Sequence, residues 1–220
     1  MEHENFNISN VISLLKKCFP LFVSSFLILY IGNASKYAID ALYDEQIQAY
    51  YGFISMPIFV VGLINNFIYQ PVLTQLSRIW DEKKYAIYLK KIMWQIAIIC
   101  IIIGLIVGVA YVMGIPVLGI LYGVDLTTYK WDLIILIIGG GFLAISGFLT
   151  VILTIMRMQK SILFSYSIVS LIAILGATDI VQRYIIRGAT LLYLSLMLLL
   201  SVILLLIIIA ILFYKNKKDM

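Results

Sequence analysis

Apolar runs long enough to cross a lipid bilayer recur along the whole of this chain, and no other feature limits its fold so severely. From Ile96 to Val109 no charged residue interrupts the sequence. A hydrocarbon core ~30 Å thick needs about 20 such residues at ~1.5 Å each. Six spans of that kind fit the 220 residues: Phe19 to Ile39, Ala49 to Leu76, Ile92 to Met113, Leu133 to Met156, Ile162 to Val181 and Gly188 to Tyr214. Backbone N–H and C=O groups find no water in hydrocarbon, so spanning segments are helices or closed barrels. Barrel strands alternate apolar and polar residues in units of ~10, a pattern these unbroken runs exclude. The chain reads as an all-α integral membrane protein, a bundle of six transmembrane helices.

Composition leaves little for anything else. The chain is 63% hydrophobic and 12% charged, where a soluble domain is about half and about a quarter, and its mean hydropathy is +1.07. Residues 1–18 form a polar leader, residues 19–214 the membrane lobe and residues 215–220 a basic tail. The net charge of +5 does not imply a nucleic-acid partner, because basic residues of a polytopic chain collect in its cytoplasmic loops. Twelve of the sixteen do so in alternate segments: Lys16 and Lys17; Arg78, Lys83, Lys84, Lys90 and Lys91; Arg157 and Lys160; Lys215, Lys217 and Lys218. Lys36, Lys130, Arg183 and Arg187 fall on the other side, among six acidic residues. Both termini are therefore expected in the cytoplasm, with the lobe in the cytoplasmic membrane. A rival reading makes the start a secretory signal, with Lys16 and Lys17 before Phe19 to Ile31 and small Gly32 and Ala34 beyond. Five further spans do not need it, and Glu2 and Glu4 are unusual in such a leader.

Many chemistries lack their residues. His3 is the only histidine, Cys18 and Cys100 lie far apart, and no Gly-x-Ser-x-Gly or phosphate loop occurs. No enzyme, metal or cofactor is expected. Polar groups within spans are costly and so face other helices or a watery cavity. Asn33, Lys36 and Asp40 share a helical face at i, i+3 and i+7, and Asn66, Gln70 and Thr74 follow one another at i+4 beside Asn65. Pro71 would free the carbonyl of Phe67, so this stretch is expected to turn inward. The plainer alternative pairs Lys36 with Asp40 as a snorkelling ion pair and gives the amides to neighbouring helices. Gly104 and Gly108, and the run Gly139, Gly140 and Gly141 with Gly147, predict close helix contacts. The segment Arg78 to Lys91, carrying Trp80, Tyr85 and Tyr88, predicts a helix lying in the cytoplasmic interface.

The order of features resembles the C-terminal half of the Wzx-type polysaccharide (O-antigen) flippases, of the multidrug/oligosaccharidyl-lipid/polysaccharide exporter superfamily. The residues that carry the likeness are Phe19-Pro20-Leu21-Phe22, then Asn33-Ala34-Ser35-Lys36-Tyr37-Ala38-Ile39-Asp40, Pro71-Val72-Leu73, Gly114-Ile115-Pro116-Val117-Leu118 with Leu121-Tyr122-Gly123, and Arg157-x-Gln159-Lys160. Lys36 stands where the family more usually has arginine. The resemblance implies one lobe of a two-lobe MATE/Wzx-like transporter, with a second six-helix lobe supplied by another chain or a second copy. It implies alternating access for a lipid-linked oligosaccharide, with membrane lipids as surroundings. Asn33 and Lys36 would then bind the sugar-diphosphate head in the outer half, and Asn66 and Gln70 would line the inner half. Half of a multidrug or cation exporter, and a non-transporting scaffold or truncated remnant, are the alternatives.

Overall fold

The computed structural model describes residues 8–218, apart from the side chains of residues 8–17, 65, 66, 68 and 218, and every regular element among them is helical. Helix α1 spans Ile8–Leu42, α2 Glu45–Ser55, α3 Pro57–Asp81, α4 Tyr85–Val109, α5 Ile115–Tyr122, α6 Lys130–Ile155 and α7 Gln159–Lys218. Helix α1 begins inside the segment expected to be leader, so the first span and residues 8–18 form one rod.

Local chemistry explains each break. Pro57 has no N–H to continue α2, so the chain bends at Met56 and α3 starts with proline in its first turn, where that N–H is not needed. Pro116 likewise removes a helical donor just after α4, and residues Ala110–Gly114 widen into a π-turn that carries α4 on into α5. Gly123, at φ 67°, closes α5 in a left-handed cap. Asp125 then accepts from the Thr127 amide at 2.9 Å and its hydroxyl at 2.7 Å, which fixes the turn into α6 and holds the Asp125 carboxyl below its ordinary range.

The fifth and sixth spans are the two arms of α7, residues 159–184 and 186–218, parted by Ile185 at φ 49° and ψ −124°. A Cβ on Gly188 would strike the carbonyl oxygen of Ile180, with Tyr184 Cβ at 3.2 Å. Residues eight apart lie ~12 Å apart in a straight helix, so the arms double back as a tight hairpin. Counted with α7 as two arms, six helical passes are long and apolar enough to span a membrane. Turns 43–44, 123–129 and 183–187 gather at one end of the bundle, which we call the outer end. Turns 82–84 and 156–158 and the tail lie at the other.

Helix α6 is the hub. Its three successive glycines point ~100° apart, and each admits a different neighbour: Gly139 takes the Tyr193 ring of α7, Gly140 takes Ile58 of α3 and Gly141 takes Ile103 of α4. This is the close packing the glycine run predicts. Gly104 and Gly108 do otherwise, since neither has an atom within 4 Å of the Cβ position. Their side of α4 is open, because α4 meets α3 and α6 through Ile92, Gln95, Ile99 and Ile103 instead.

The segment Arg78 to Lys91 is not a helix of its own. Helices α3 and α4 run into it from both sides and meet at a turn with Lys83 at φ 57°. Tyr85 and Tyr88 are buried against Trp80, at ring separations of 5.6 and 5.4 Å, and Lys215 of the tail sits 4.2 Å above the Trp80 ring. These aromatic rings lock two spans and the tail together.

Candidate functional site

Helix α1 packs its Ile31, Ala34, Ala38 and Ile39 face onto α7, and α3 leans on α6. The two therefore diverge, and a cleft of about 670 Å³ opens between α1 and the α2–α3 bend. Leu143 of α6 and Tyr193 of α7 close it behind, and the stacked rings of Phe53 and Tyr122, 4.1 Å apart, wall its outer part. Three glycines make the space: Gly32 of α1, Gly52 of α2 and Gly62 of α3 all line it, and none has an atom within 4 Å of its Cβ position.

Asn33 and Lys36 both line this cleft. The Asn33 amide donates to the Leu29 carbonyl at 2.9 Å, one helical turn back, which fixes the side chain and leaves its oxygen as an acceptor. Lys36 makes no ion pair among the described residues. The Lys36–Asp40 pair of the plainer reading does not form, because Asp40 accepts from Gln48 Nε2 at 3.0 Å instead. Among the described residues, no carboxylate lines the cleft. Lys36 sits about two helical turns, ~10 Å, below Tyr43 at the outer turn.

No protein-family profile, curated protein or solved structure matches this chain.

The second pair of expected site residues is not gathered here. Gln70 lies exposed on α3, outside the cleft, and the Asn66 side chain is outside the described residues. Gln70 continues, at i+7, the face on which Leu63 lines the cleft. On this stretch Phe59, Leu63 and Phe67 are exposed, Phe67 by 78%. Within this chain α3 spends its buried side on α6 and α4, and Gln70 lies on the side left open.

The contact that most firmly shapes the outer end was hidden in the sequence. Arg187 of α7 pairs with Asp132 of α6 across 55 residues, and Thr190 joins them. Tyr43 adds α1 to the same end by donating to the Val181 and Gln182 carbonyls at 3.3 and 3.2 Å. These bonds set the spacing of α1, α6 and the α7 hairpin around the back of the cleft. Charge counting marks Asp132 and Arg187 only as loop charges on one side.

Proposed function

We propose that this chain is one lobe of a lipid-linked oligosaccharide flippase, and that the cleft between α1 and the α2–α3 bend receives the sugar-diphosphate head. The observation that carries the reading is Lys36, a cation with no ion-pair partner among the described residues, in a cleft lined by no carboxylate. Such a charge is costly at membrane depth unless it meets an anion or water. The ammonium serves as a point charge for a phosphate. The free oxygen of Asn33 accepts from a sugar hydroxyl, and the Phe53 and Tyr122 rings offer an apolar wall to a sugar face. The polyprenyl tail remains in the bilayer beside the open flank.

A second six-helix lobe, from another chain or a second copy, faces the exposed sides of α1 and α3 and so encloses the path that Asn66 and Gln70 extend. Rocking of one lobe against the other then exposes the head to each side in turn. In this reading the end opposite the α7 hairpin, and both termini, face the cytoplasm of a cell whose inner membrane holds the carrier, which the basic surplus at that end supports.

The test has two parts. Light scattering of the detergent complex, with and without the product of the gene immediately upstream, is expected to show a 1:1 assembly of six-span lobes or a dimer. Flipping of an undecaprenyl-diphosphate oligosaccharide by that assembly in vesicles is expected to fall about tenfold or more in Lys36→Ala, the scale of a lost charge-assisted bond, and to persist in Lys36→Arg. A solitary monomer, or unchanged flipping by Lys36→Ala, overturns the reading.

A further inference from the structure

We propose that the inner end of α4 carries a binding site for an anionic glycerophospholipid, with its phosphate on Lys90 and Lys91 and its acyl chain beside Trp94. A groove of about 490 Å³ lies on the outside of the helix, lined by Ile87, Lys90, Lys91, Met93, Trp94 and Ala97. It is separate from the cleft at Lys36 and does not depend on the transport reading. Three observations fix the occupant.

The first is charge. Neither lysine makes an ion pair among the described residues, whereas nearby Arg78 and Lys84 are both taken by Glu82, at 2.9 and 2.7 Å. The pair at the groove is left for an anion from outside the chain. The second is depth. Lys90 and Lys91 are the last charged residues before the apolar run that starts at Ile92, so they stand at the headgroup level while Trp94, 70% exposed, lies about one turn deeper. The third is what continues below. The same side of α4 stays exposed and apolar through Ile101 at 65% and Leu105 at 66%, a surface suited to a hydrocarbon chain. A free phosphate would satisfy the lysines and leave Trp94 and this apolar track without an occupant.

A basic residue near an anionic bilayer surface strengthens association roughly fivefold, so the pair together distinguishes lipid classes clearly. The experiment uses the full chain in vesicles with spin-labelled phosphatidylglycerol or phosphatidylcholine, and reads the motionally restricted fraction of each lipid. Wild type is expected to prefer phosphatidylglycerol. The Lys90→Gln/Lys91→Gln variant is expected to lose that preference by an order of magnitude or more, and Trp94→Ala to lower retention of both lipids. Lys160→Gln/Lys217→Gln removes the same charge from the same end away from the groove, and is expected to keep the preference. An equal loss in both double variants would show a diffuse surface effect and overturn the site, as would an unaltered Lys90→Gln/Lys91→Gln chain.

Discussion

Arg187 holds both oxygens of Asp132 with one edge of its guanidinium, with Nε 2.6 Å from Oδ1 and Nη2 3.1 Å from Oδ2, while the Thr190 hydroxyl donates to Oδ1 at 3.0 Å. The carboxylate is 4% exposed and the arginine side chain 45% exposed. The pair joins the first turn of α6, where a negative charge also favours the helix N-terminus, to the second arm of α7 just past its break. It keeps the hairpin against α6 although Ile185 at the bend adopts a conformation that β-branched residues rarely take.

Arg187→Ala strands a buried carboxylate and is expected to cost about 2 to 3 kcal/mol, below the fully buried case because water reaches the arginine. Asp132→Asn combined with Arg187→Ala is expected to recover part of that loss, since the charge left unpaired is then gone. Thermal unfolding in detergent checks both. Equal melting of Arg187→Ala and wild type would show that the pair does not hold the hairpin.

Gly188→Ala sets a methyl group against the Ile180 carbonyl, which is backbone and cannot rotate away. A loss of about 3 kcal/mol or more is expected, at the upper range of overpacking. Gly139→Ala meets the buried Tyr193 ring, with the Leu194 Cα at 3.3 Å, a looser fit against backbone than at Gly188, and is expected to cost less. The order of the two melting temperatures tests the hairpin against the hub.

Filling the cleft separates binding from folding. Gly32→Phe and Gly52→Trp build into open space, and each replaces a residue that weakens a helix. Melting temperatures are expected to hold or rise, while carrier flipping by the assembled transporter falls to background. Normal flipping in the Gly52→Trp chain would move the path elsewhere.

The turn between α3 and α4 carries a pH signature. Hydrogen bonds from Lys84 and then Arg78 hold the Glu82 carboxyl below its ordinary value of 4.5. A lowered carboxyl supports the folded turn at pH above that value and loses its contribution as pH falls through the depressed one. Hydrogen exchange at residues 82–84 is expected to stay constant from about pH 8 to 5, after correction for intrinsic rates, and to quicken only below the ordinary carboxyl value of 4.5. Glu82→Gln is expected to remove that step.

Much of the architecture is legible in residue order alone, because hydrocarbon leaves the backbone one inexpensive solution and makes each span announce itself by length. Pro57, Pro116 and Gly123 mark their breaks through a missing donor or a missing Cβ. The sharing of one face by Asn33 and Lys36 is helical arithmetic, and the cleft they line is consistent with it. The Gly139 to Gly141 run signals close packing, yet so does Gly104 with Gly108, which packs against nothing among the described residues. Spacing shows that a helix has a smooth side and is silent on which neighbour meets it.

The sequence by itself determined that this chain is helical, that it has six apolar passes, and that its basic residues gather in alternate turns. These properties follow from local polarity and from distance along one helix. Only the tertiary structure decided that Asp132 meets Arg187, that Asp40 turns to Gln48 while Lys36 has no ion-pair partner among the described residues, and that Gly32, Gly52 and Gly62 surround one cleft. Those outcomes depend on which helices lean together and which part. In an apolar bundle that choice rests on the fit of side chains from distant segments, to which local periodicity is blind.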